Sequence, residues 1–340
     1  MIPYFLLMLA VLANLFLFKI TKNKIFIKLI FTIVTLFSGL RVNVGVDYHS
    51  YVNGFYGVIK GYPSDFELGS KVIIMIIDAL GYGPQVYFFV MAIITNFFMY
   101  LFIVRHSRNL VISVATYIFI TLFYFASFNA IRQYAAISIA LFSLRYILDR
   151  NFLKYFLCVA LGALFHLSAI ITLPLYFFLA RKYNPVHLFF GGFITLLLMY
   201  VSLNYLAGYI FNSSYLNFAN TTTSRGLVTI FIVFNIYMIF LLKDVFLDVI
   251  LFKNMLFISL LLLVLVLAFP MYSMGVMRLN SFYLFAVIPL LSYIPYYHRV
   301  NLDKVIVVIP ILLFSISYYL LTLISKGTAY KLTPYKTIFF

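Results

Sequence analysis

Long apolar stretches separated by short polar gaps form the main pattern of this sequence. The stretches run for about 17 to 25 residues, the length at which an α-helix crosses a hydrocarbon core of about 30 Å. Backbone groups inside lipid must be paired within their own segment, so the pattern predicts membrane-spanning helices. The predicted spans are residues 2–18, 25–40, 86–104, 110–127, 131–148, 187–208, 226–242, 254–270, 280–297 and 304–324.

Residues 153–180 admit two interpretations, because they are long for one span and short for two. The distribution of Lys and Arg favours two short helices that turn at His166. With the C-terminal tail left out, two helices give 15 basic residues in the inner gaps against six in the outer gaps, whereas one span gives 11 against 10. This topology has about twelve crossings with both termini outside. Residues 71–80 are too short to cross and are interpreted as a helix lying in or dipping into the outer face.

Composition supports the same picture, since 65% of the 340 residues are apolar and 9% are charged. A soluble surface cannot be built from so few charged side chains. The predicted fold class is therefore all-α: a polytopic transmembrane helical bundle forming one integral membrane domain over residues 1–340, with outer loops at 41–85 and 209–225. The Lys and Arg residues that give the net charge of +16 lie mainly in the gaps, the pattern of topology signals and of contacts to lipid headgroups. Their positions therefore do not predict binding of nucleic acid. Cys158 is the single cysteine, which excludes an intramolecular disulfide and metal sites built on cysteine. Lysines follow the first apolar stretch in place of a small-residue cleavage site, so no cleavable signal peptide is expected.

Four of the six outer cations are arginines at the edges of predicted spans: Arg41, Arg132, Arg225 and Arg278. Arginine forks onto phosphate oxygens in a fixed geometry and keeps its charge at any relevant pH. Arg132 and Arg225 stand near helix starts, where a bound anion would relieve the conflict between the guanidinium and the helix dipole. These positions predict a site for a phosphorylated ligand, with snorkelling to lipid phosphates as the alternative.

Three of the eight acids lie between Arg41 and Gly69, in the first part of the outer loop that follows the second span: Asp47, Asp65 and Glu67. Asp47 or Glu67 is a candidate acceptor of a proton from a sugar hydroxyl, because shielding from water raises the pKa of a carboxylate. The alternative for Asp47 is an ion pair with Arg41 that pins the loop. Asp65 and Glu67 are also half of the ligand set of a divalent metal, although two carboxylates alone do not make such a site.

Further candidates are single residues in apolar surroundings. His166 lies at the predicted hairpin tip, and an ionisable residue inside a membrane is a functional candidate by default, with a structural hydrogen bond as the alternative. Gln133, beside Arg132 at the start of the fifth crossing, is a candidate for substrate contact. Aromatic residues make up 20% of the chain, and most are expected to face lipid or fill the core. The outer tyrosines are candidates for contact with sugar or phosphate: Tyr48, Tyr51, Tyr283 and Tyr335.

Four short motifs, in this order, resemble the EpsG-like branch of bacterial O-antigen and exopolysaccharide polymerases of the Wzy type. They are R-x3-G-x-D-Y-x2-Y from Arg41 to Tyr51, E-x-G at Glu67 to Gly69, I-R-Q at Ile131 to Gln133, and F-H-x-S at Phe165 to Ser168. The resemblance covers about residues 30–290, most of the chain. It implies a helical architecture like that of the GT-C glycosyltransferases.

The resemblance also implies a reaction. Polymerases of this type transfer a growing glycan from one undecaprenyl diphosphate carrier to the sugar end of another, at the outer (periplasmic) face of the bacterial inner membrane. It implies no soluble cofactor and no metal, and it implies a flippase and a chain-length regulator as partners. On this interpretation Arg41, Arg132 and Arg278 clamp the diphosphates with Arg225 as a fourth member, and Asp47 and His166 compete for the role of base.

Other function classes remain open at this point. A flippase or other transporter of the same lipid-linked oligosaccharide also needs a cationic cavity, but it is expected to show repeat-related halves, and no internal repeat is evident. An O-antigen ligase shares the chemistry and much of the architecture. A non-catalytic membrane scaffold would not explain four outer arginines close to the outer acids.

Overall fold

The computed structural model describes residues 1–183, 191, 225–242, 244, 246–268, 273–297 and 301–339, and this part of the chain is helical. The N-terminal helices are α1 (Ile2–Thr21), α2 (Ile25–Gly39), α3 (Tyr48–Ile59), α4 (Leu68–Ala79), α5 (Pro84–His106), α6 (Leu110–Phe119), α7 (Ile131–Ser143), α8 (Arg145–Leu148) and α9 (Phe152–Ala163). The later helices are α10 (Arg225–Leu241), α11 (Leu247–Ala268), α12 (Ser273–Leu284), α13 (Val287–Tyr293) and α14 (Asn301–Lys326). Short 3-10 helices cover Phe125–Phe128, Leu167–Phe177 and Ile294–Tyr297.

Five helical segments of the described residues are long and apolar enough to cross a membrane. They are Ile2–Thr21, Pro84–His106, Leu247–Ala268, Gly275–Tyr296 and Val308–Lys326. Shorter apolar helices occupy several of the other predicted spans, among them Ile25–Gly39 and Leu110–Phe119. The all-helical class is therefore confirmed for the described residues, with five candidate spans, whereas the count of twelve crossings and the GT-C-like architecture stay predictions. Apart from residues 191 and 225, the predicted span 187–208 and the predicted loop 209–225 lie outside the described residues.

The helices form two compact units, one from residues 1–173 with 291–340 and one from residues 174–290. In the first unit α5 packs against both α2 and α7, α7 packs against α9, and α14 packs against α6. Large aromatic side chains fill the space between these helices, and Tyr4, Tyr124 and Phe128 are fully buried. In the second unit α11 packs against α10 and α12. A buried Asn235 on α10 donates to the Ser259 hydroxyl on α11 at 3.0 Å.

The stretch 153–180 folds back on itself, as the two-helix interpretation predicts. The hydroxyl of Tyr155 on α9 donates to the carbonyl of Thr172, and a Cβ added at Gly162 would lie 3.4 Å from the Cβ of Ala169. The turn falls at residues 164–166. The two arms have 12 and 11 residues, which correspond to about 18 Å of α-helix and about 22 Å of 3-10 helix. Each arm is therefore shorter than a hydrocarbon core.

The predicted span 110–127 is also interrupted, since α6 ends at Phe119 and a short 3-10 helix follows at Phe125–Phe128. Irregular backbone inside an apolar bundle is stable only where its polar groups find partners. Here Arg41 supplies one, because its Nη2 donates to the carbonyl of Phe128 at 3.1 Å. The break brings the start of α7, and with it Arg132, to the same region as the loop after α2.

Residues 327–339, the tail after α14, cover the loop after α2. The amides of Val42 and Gly45 donate to the carbonyls of Lys336 and Lys331, both at 2.9 Å, and Arg41 forms an isolated antiparallel bridge with Thr337. The start of α1 lies here too, because the Tyr4 hydroxyl donates to a tail carbonyl. The two ends of the described chain and this loop therefore lie at the same end of the first unit.

Candidate active site

Three of the four predicted motifs meet at one cluster in the first unit. Glu67 precedes α4, Arg132 lies in the first turn of α7, and His166 stands at the tip of the 152–177 hairpin. Arg132 Nη1 forms an ion pair with Glu67 Oε2, and His166 Nδ1 lies 3.7 Å from Glu67 Oε1. The side chains of Arg132, Glu67 and His166 are 16%, 21% and 27% exposed. The cluster is therefore sheltered but open to a ligand.

Arg132 is held from several sides. Its Nη1 donates to the carbonyl of Asp65 at 2.6 Å as well as to Glu67, and its guanidinium carbon lies 4.4 Å from the centre of the Phe66 ring. Arg132 also lowers the pKa of the nearby Tyr51 hydroxyl by its positive charge. The Nε atom is buried and has no partner among the described residues. A fixed guanidinium with a spare donor is suited to bind an anion.

Glu67 joins α4 to the hairpin tip. Its Oε1 accepts from the Leu167 amide at 3.3 Å, at the start of the 3-10 helix, where the helix dipole favours a negative charge. The His166 Nδ1 is approached from its own segment by the Ser168 amide at 3.4 Å and the Ser168 hydroxyl at 3.1 Å. Glu67 therefore stands between a cation and an imidazole, with one carboxylate oxygen directed to each.

Gly69 explains how these elements are brought so close. The first amides of an α-helix lack partners within the helix, and the Gly69 amide instead donates to the Leu164 carbonyl at 2.8 Å. A Cβ at position 69 would lie 2.8 Å from that same oxygen. Only glycine allows this approach, so the E-x-G motif docks the start of α4 on the hairpin tip.

Arg41, from the first motif, makes its hydrogen bonds to backbone carbonyls. It is 2% exposed, and its guanidinium donates to the carbonyls of Ser38, Val44 and Phe128. Burial lowers the pKa of Arg41 to about 10, so the side chain remains charged at neutral pH. Carbonyl partners thus pin the loop after α2, which the alternative interpretation had assigned to Asp47.

The other predicted residues of the first unit occupy different environments. Asp47 is half-buried before α3 and acts electrostatically on the Tyr51 hydroxyl, whose pKa is raised by burial and lowered by Arg132. Tyr48 is buried, stacks on Phe88 at 4.6 Å and donates to Gln85 at 3.3 Å. Gln133 is buried as well. A direct contact of Tyr48 or Gln133 with substrate stays a prediction, and half-buried Tyr51 is better placed for one.

The remaining predicted residues, Arg225, Arg278 and Tyr283, belong to the second unit. Arg225 and Arg278 are exposed at the start of α10 and on α12, whereas Tyr283 is 2% exposed. Their part in a common site stays a prediction.

Among the described residues, no group of three or more His, Cys, Asp or Glu side chains lies close enough together to hold a metal ion. Of the pair considered for a divalent metal, Glu67 is engaged by Arg132, and Asp65 offers Arg132 its backbone carbonyl.

Sequence reasoning missed two contributors to the site. Phe66 carries no recognisable chemistry, yet it forms the face on which Arg132 rests. The packing of the tail was not predicted either: Tyr335, a sequence candidate for substrate contact, stacks on Phe37 at 4.1 Å and donates to the Phe37 carbonyl at 2.5 Å. The weak signal for the tail was the presence of polar and aromatic residues after the last predicted span.

Comparison with known proteins identifies a family. A family model described as the EpsG family matches residues 24–337, nearly the whole chain. No curated protein and no solved structure matches the chain. The matched region contains all four motifs and every residue of the cluster.

Proposed function

This chain belongs to the EpsG family, and we propose that it is a membrane-bound polysaccharide polymerase that joins lipid-linked repeat units. In this proposal it transfers a growing glycan from one undecaprenyl diphosphate onto the sugar of another undecaprenyl-diphosphate-linked repeat unit. The observation that carries the proposal is the cluster of Arg132, Glu67 and His166, a cation suited to phosphate beside a group suited to accept a proton.

The proposed step is a substitution at the anomeric carbon of the donor glycan. The acceptor hydroxyl oxygen forms a bond to that carbon, and the bond from the carbon to the diphosphate oxygen breaks. The hydroxyl proton passes to a base, and the lipid diphosphate leaves as an anion. A fixed guanidinium in a sheltered site stabilises the charge that develops on the leaving group, without reorganisation at the moment of reaction.

Arg132 is the proposed diphosphate-binding residue. Its Nε donor has no partner among the residues that the structure describes, its guanidinium is oriented by Phe66 and the Asp65 carbonyl, and its side chain is 16% exposed. A role of Arg278 and Arg225 in binding the diphosphate stays a prediction from the sequence. Arg41 has its donors on backbone carbonyls, so we assign it the role of organising the loop.

His166 is the proposed base, with Asp47 as the competing candidate. The Nδ1 atom of His166 faces Glu67 and Ser168, so Nε2 is the nitrogen that would receive the acceptor's proton. An imidazole titrates close to neutral pH, which suits proton transfer better than an ordinary carboxylate does. Glu67 is then the partner that orients the imidazole.

The proposed location is the bacterial inner membrane with the site on the periplasmic face. The charge asymmetry of the gaps supports this location, because it favours an outer position for Arg132 and the hairpin tip, where lipid-linked repeat units would arrive. A flippase that delivers those units and a regulator of chain length are the proposed partners.

The test is glycan laddering in a strain that lacks this gene, complemented at matched membrane expression with wild type or Arg132→Ala. The matched control is Arg150→Ala, which removes an exposed arginine beyond α8. We expect the ladder to disappear with Arg132→Ala and to persist with Arg150→Ala, while a single repeat unit still reaches its final acceptor in both strains.

Two outcomes would contradict the proposal. If the gene deletion removes even the single repeat unit, the protein acts before or after polymerisation, as a flippase or a ligase. If Arg132→Ala forms a normal ladder, the guanidinium is not needed for transfer and the cluster is not the active site.

A further inference from the structure

Glu67 holds Nη1 of Arg132 and neutralises the positive charge to which a phosphate would bind. Carboxylate and phosphate oxygens are bound by the same guanidinium donors in the same planar geometry. In this structure Nη1 of Arg132 is shared between Glu67 Oε2 and the Asp65 carbonyl. An arriving diphosphate therefore competes with Glu67 for the cation, and the two anions repel each other if both stay.

A carboxylate displaced from Arg132 has a defined place to go. Its Oε1 already accepts from the Leu167 amide, and its backbone is held at the hairpin tip by the hydrogen bond from Gly69 to Leu164. These anchors keep Glu67 beside His166 whether or not Arg132 holds it. A movement of about 1 Å would bring Oε1 from 3.7 Å to hydrogen-bond distance of His166 Nδ1.

The hydrogen bonds of His166 change with that movement. At 3.7 Å the imidazole does not hydrogen-bond Glu67, and the Ser168 amide is directed at Nδ1 instead. An amide that donates to Nδ1 requires the lone pair there, so a neutral ring carries its proton on Nε2. Such a ring cannot accept a proton at Nε2. A carboxylate that accepts from Nδ1–H reverses the arrangement and leaves the lone pair on Nε2.

We propose that Glu67 couples the arrival of a lipid diphosphate at Arg132 to the activation of His166 as a base. In the empty site Glu67 neutralises Arg132 and leaves His166 in the inactive tautomer. When the diphosphate takes over Arg132, Glu67 turns to His166 and exposes a basic Nε2. The acceptor hydroxyl is then deprotonated only when a donor is in place. The coupling rests on the proposed function, because it assigns diphosphate to Arg132 and proton transfer to His166.

The first test measures binding of inorganic pyrophosphate to the full chain in lipid nanodiscs by titration calorimetry. Glu67→Gln removes the internal competitor, so we expect it to bind pyrophosphate about tenfold more tightly than wild type while polymerising more slowly. The matched control is Asp78→Asn, which removes an exposed carboxylate at the other end of α4 and should change neither quantity.

A merely structural role for Glu67 predicts the opposite result. If Glu67 only held Arg132 in place, Glu67→Gln would bind pyrophosphate more weakly. Equal or weaker binding by Glu67→Gln would overturn the coupling. If pyrophosphate bound neither protein, the assignment of diphosphate to Arg132 would be overturned together with the coupling.

The second test observes the tautomer directly by nitrogen NMR of ¹⁵N-histidine-labelled protein in membranes, with the His166 signals identified by their loss in His166→Asn. We expect the proton on Nε2 without pyrophosphate and on Nδ1 with saturating pyrophosphate, and no such exchange in Glu67→Gln. The same tautomer in both states of the wild type would refute the coupling. The polymerase proposal would survive that result, because loss of the ladder in Arg132→Ala does not depend on it.

Discussion

The docking of α4 on the hairpin tip can be tested at Gly69. The Gly69 amide donates to the Leu164 carbonyl at 2.8 Å, and an added Cβ would stand 2.8 Å from that oxygen and 3.1 Å from the carbonyl carbon. Backbone atoms cannot rotate away as a flexible side chain can. The substitution Gly69→Ala must therefore move the start of α4 away from the hairpin.

The size of the movement follows from the contact distances. An ordinary contact of a Cβ begins at 3.4 Å, so the 2.8 Å approach requires a shift of about 0.6 Å. The hydrogen bond is weakened or lost at a cost of about 1 kcal/mol, and overpacking adds about 1–3 kcal/mol. Glu67 lies two residues before Gly69, so its distance from His166 increases by a comparable amount. Because a misplacement of about 1 Å can lower a rate about a hundredfold, we expect polymer formation to fall at least tenfold.

The assay compares ladders and thermal unfolding in detergent for wild type, Gly69→Ala and Gly57→Ala at matched membrane expression. Gly57 lies inside α3, and a Cβ there meets nothing within 4 Å. Alanine in a helix interior is favoured over glycine by about 1 kcal/mol, so Gly57→Ala should keep both the ladder and the stability of the wild type, or gain slightly in stability.

Either of two results would refute the reasoning. A normal ladder from Gly69→Ala would show that close docking of α4 on the hairpin is not needed for activity. Equal damage from Gly57→Ala would show that the outer loop is sensitive to any added methyl group, whatever its surroundings.

Two further predictions concern the loop after α2. Arg41→Gln leaves buried carbonyls without their charged donor and should lower the free energy of unfolding by about 3 kcal/mol. The control Arg105→Gln breaks a half-exposed ion pair and should cost less than about 1 kcal/mol. Equal melting temperatures of the two variants would contradict this prediction. Tyr335→Phe loses only a hydrogen bond and should lower the free energy of unfolding by about 1 kcal/mol. Tyr335→Ala also loses the stack on Phe37 and should lower it by about 3 kcal/mol. Thermal unfolding measures both. If the two variants of Tyr335 unfold alike, the stack does not contribute.

Much of the site was predictable because its residues come from short motifs in outer gaps. Charge counting placed Glu67, Arg132 and His166 on the same side of the membrane, and the structure brings these three together. The fold-back at residues 164–166 was predicted from the length of the apolar stretch and from the same charge count. These are local or additive properties of the sequence, so they need no knowledge of which helices touch.

Other features could not be predicted from the sequence. The end of α6 at Phe119 has no proline or glycine to mark it, and the irregular backbone that follows is stabilised by Arg41 from another segment. The same contacts decide that Arg41 supports the loop, although its type and position in the sequence match those of a phosphate ligand.

The sequence by itself determined that the chain is a helical membrane protein, which of its residues carry chemistry, and at which helix ends they stand. Apolar length, charge asymmetry and motif order are properties of the chain alone. Only the tertiary structure decided that Glu67 stands between Arg132 and His166, that Gly69 sets their spacing, and that the tail covers the loop. Which side chains become hydrogen-bond partners depends on differences of a few tenths of an ångström in the distances between segments far apart in the chain. Those distances are set only when the helices pack.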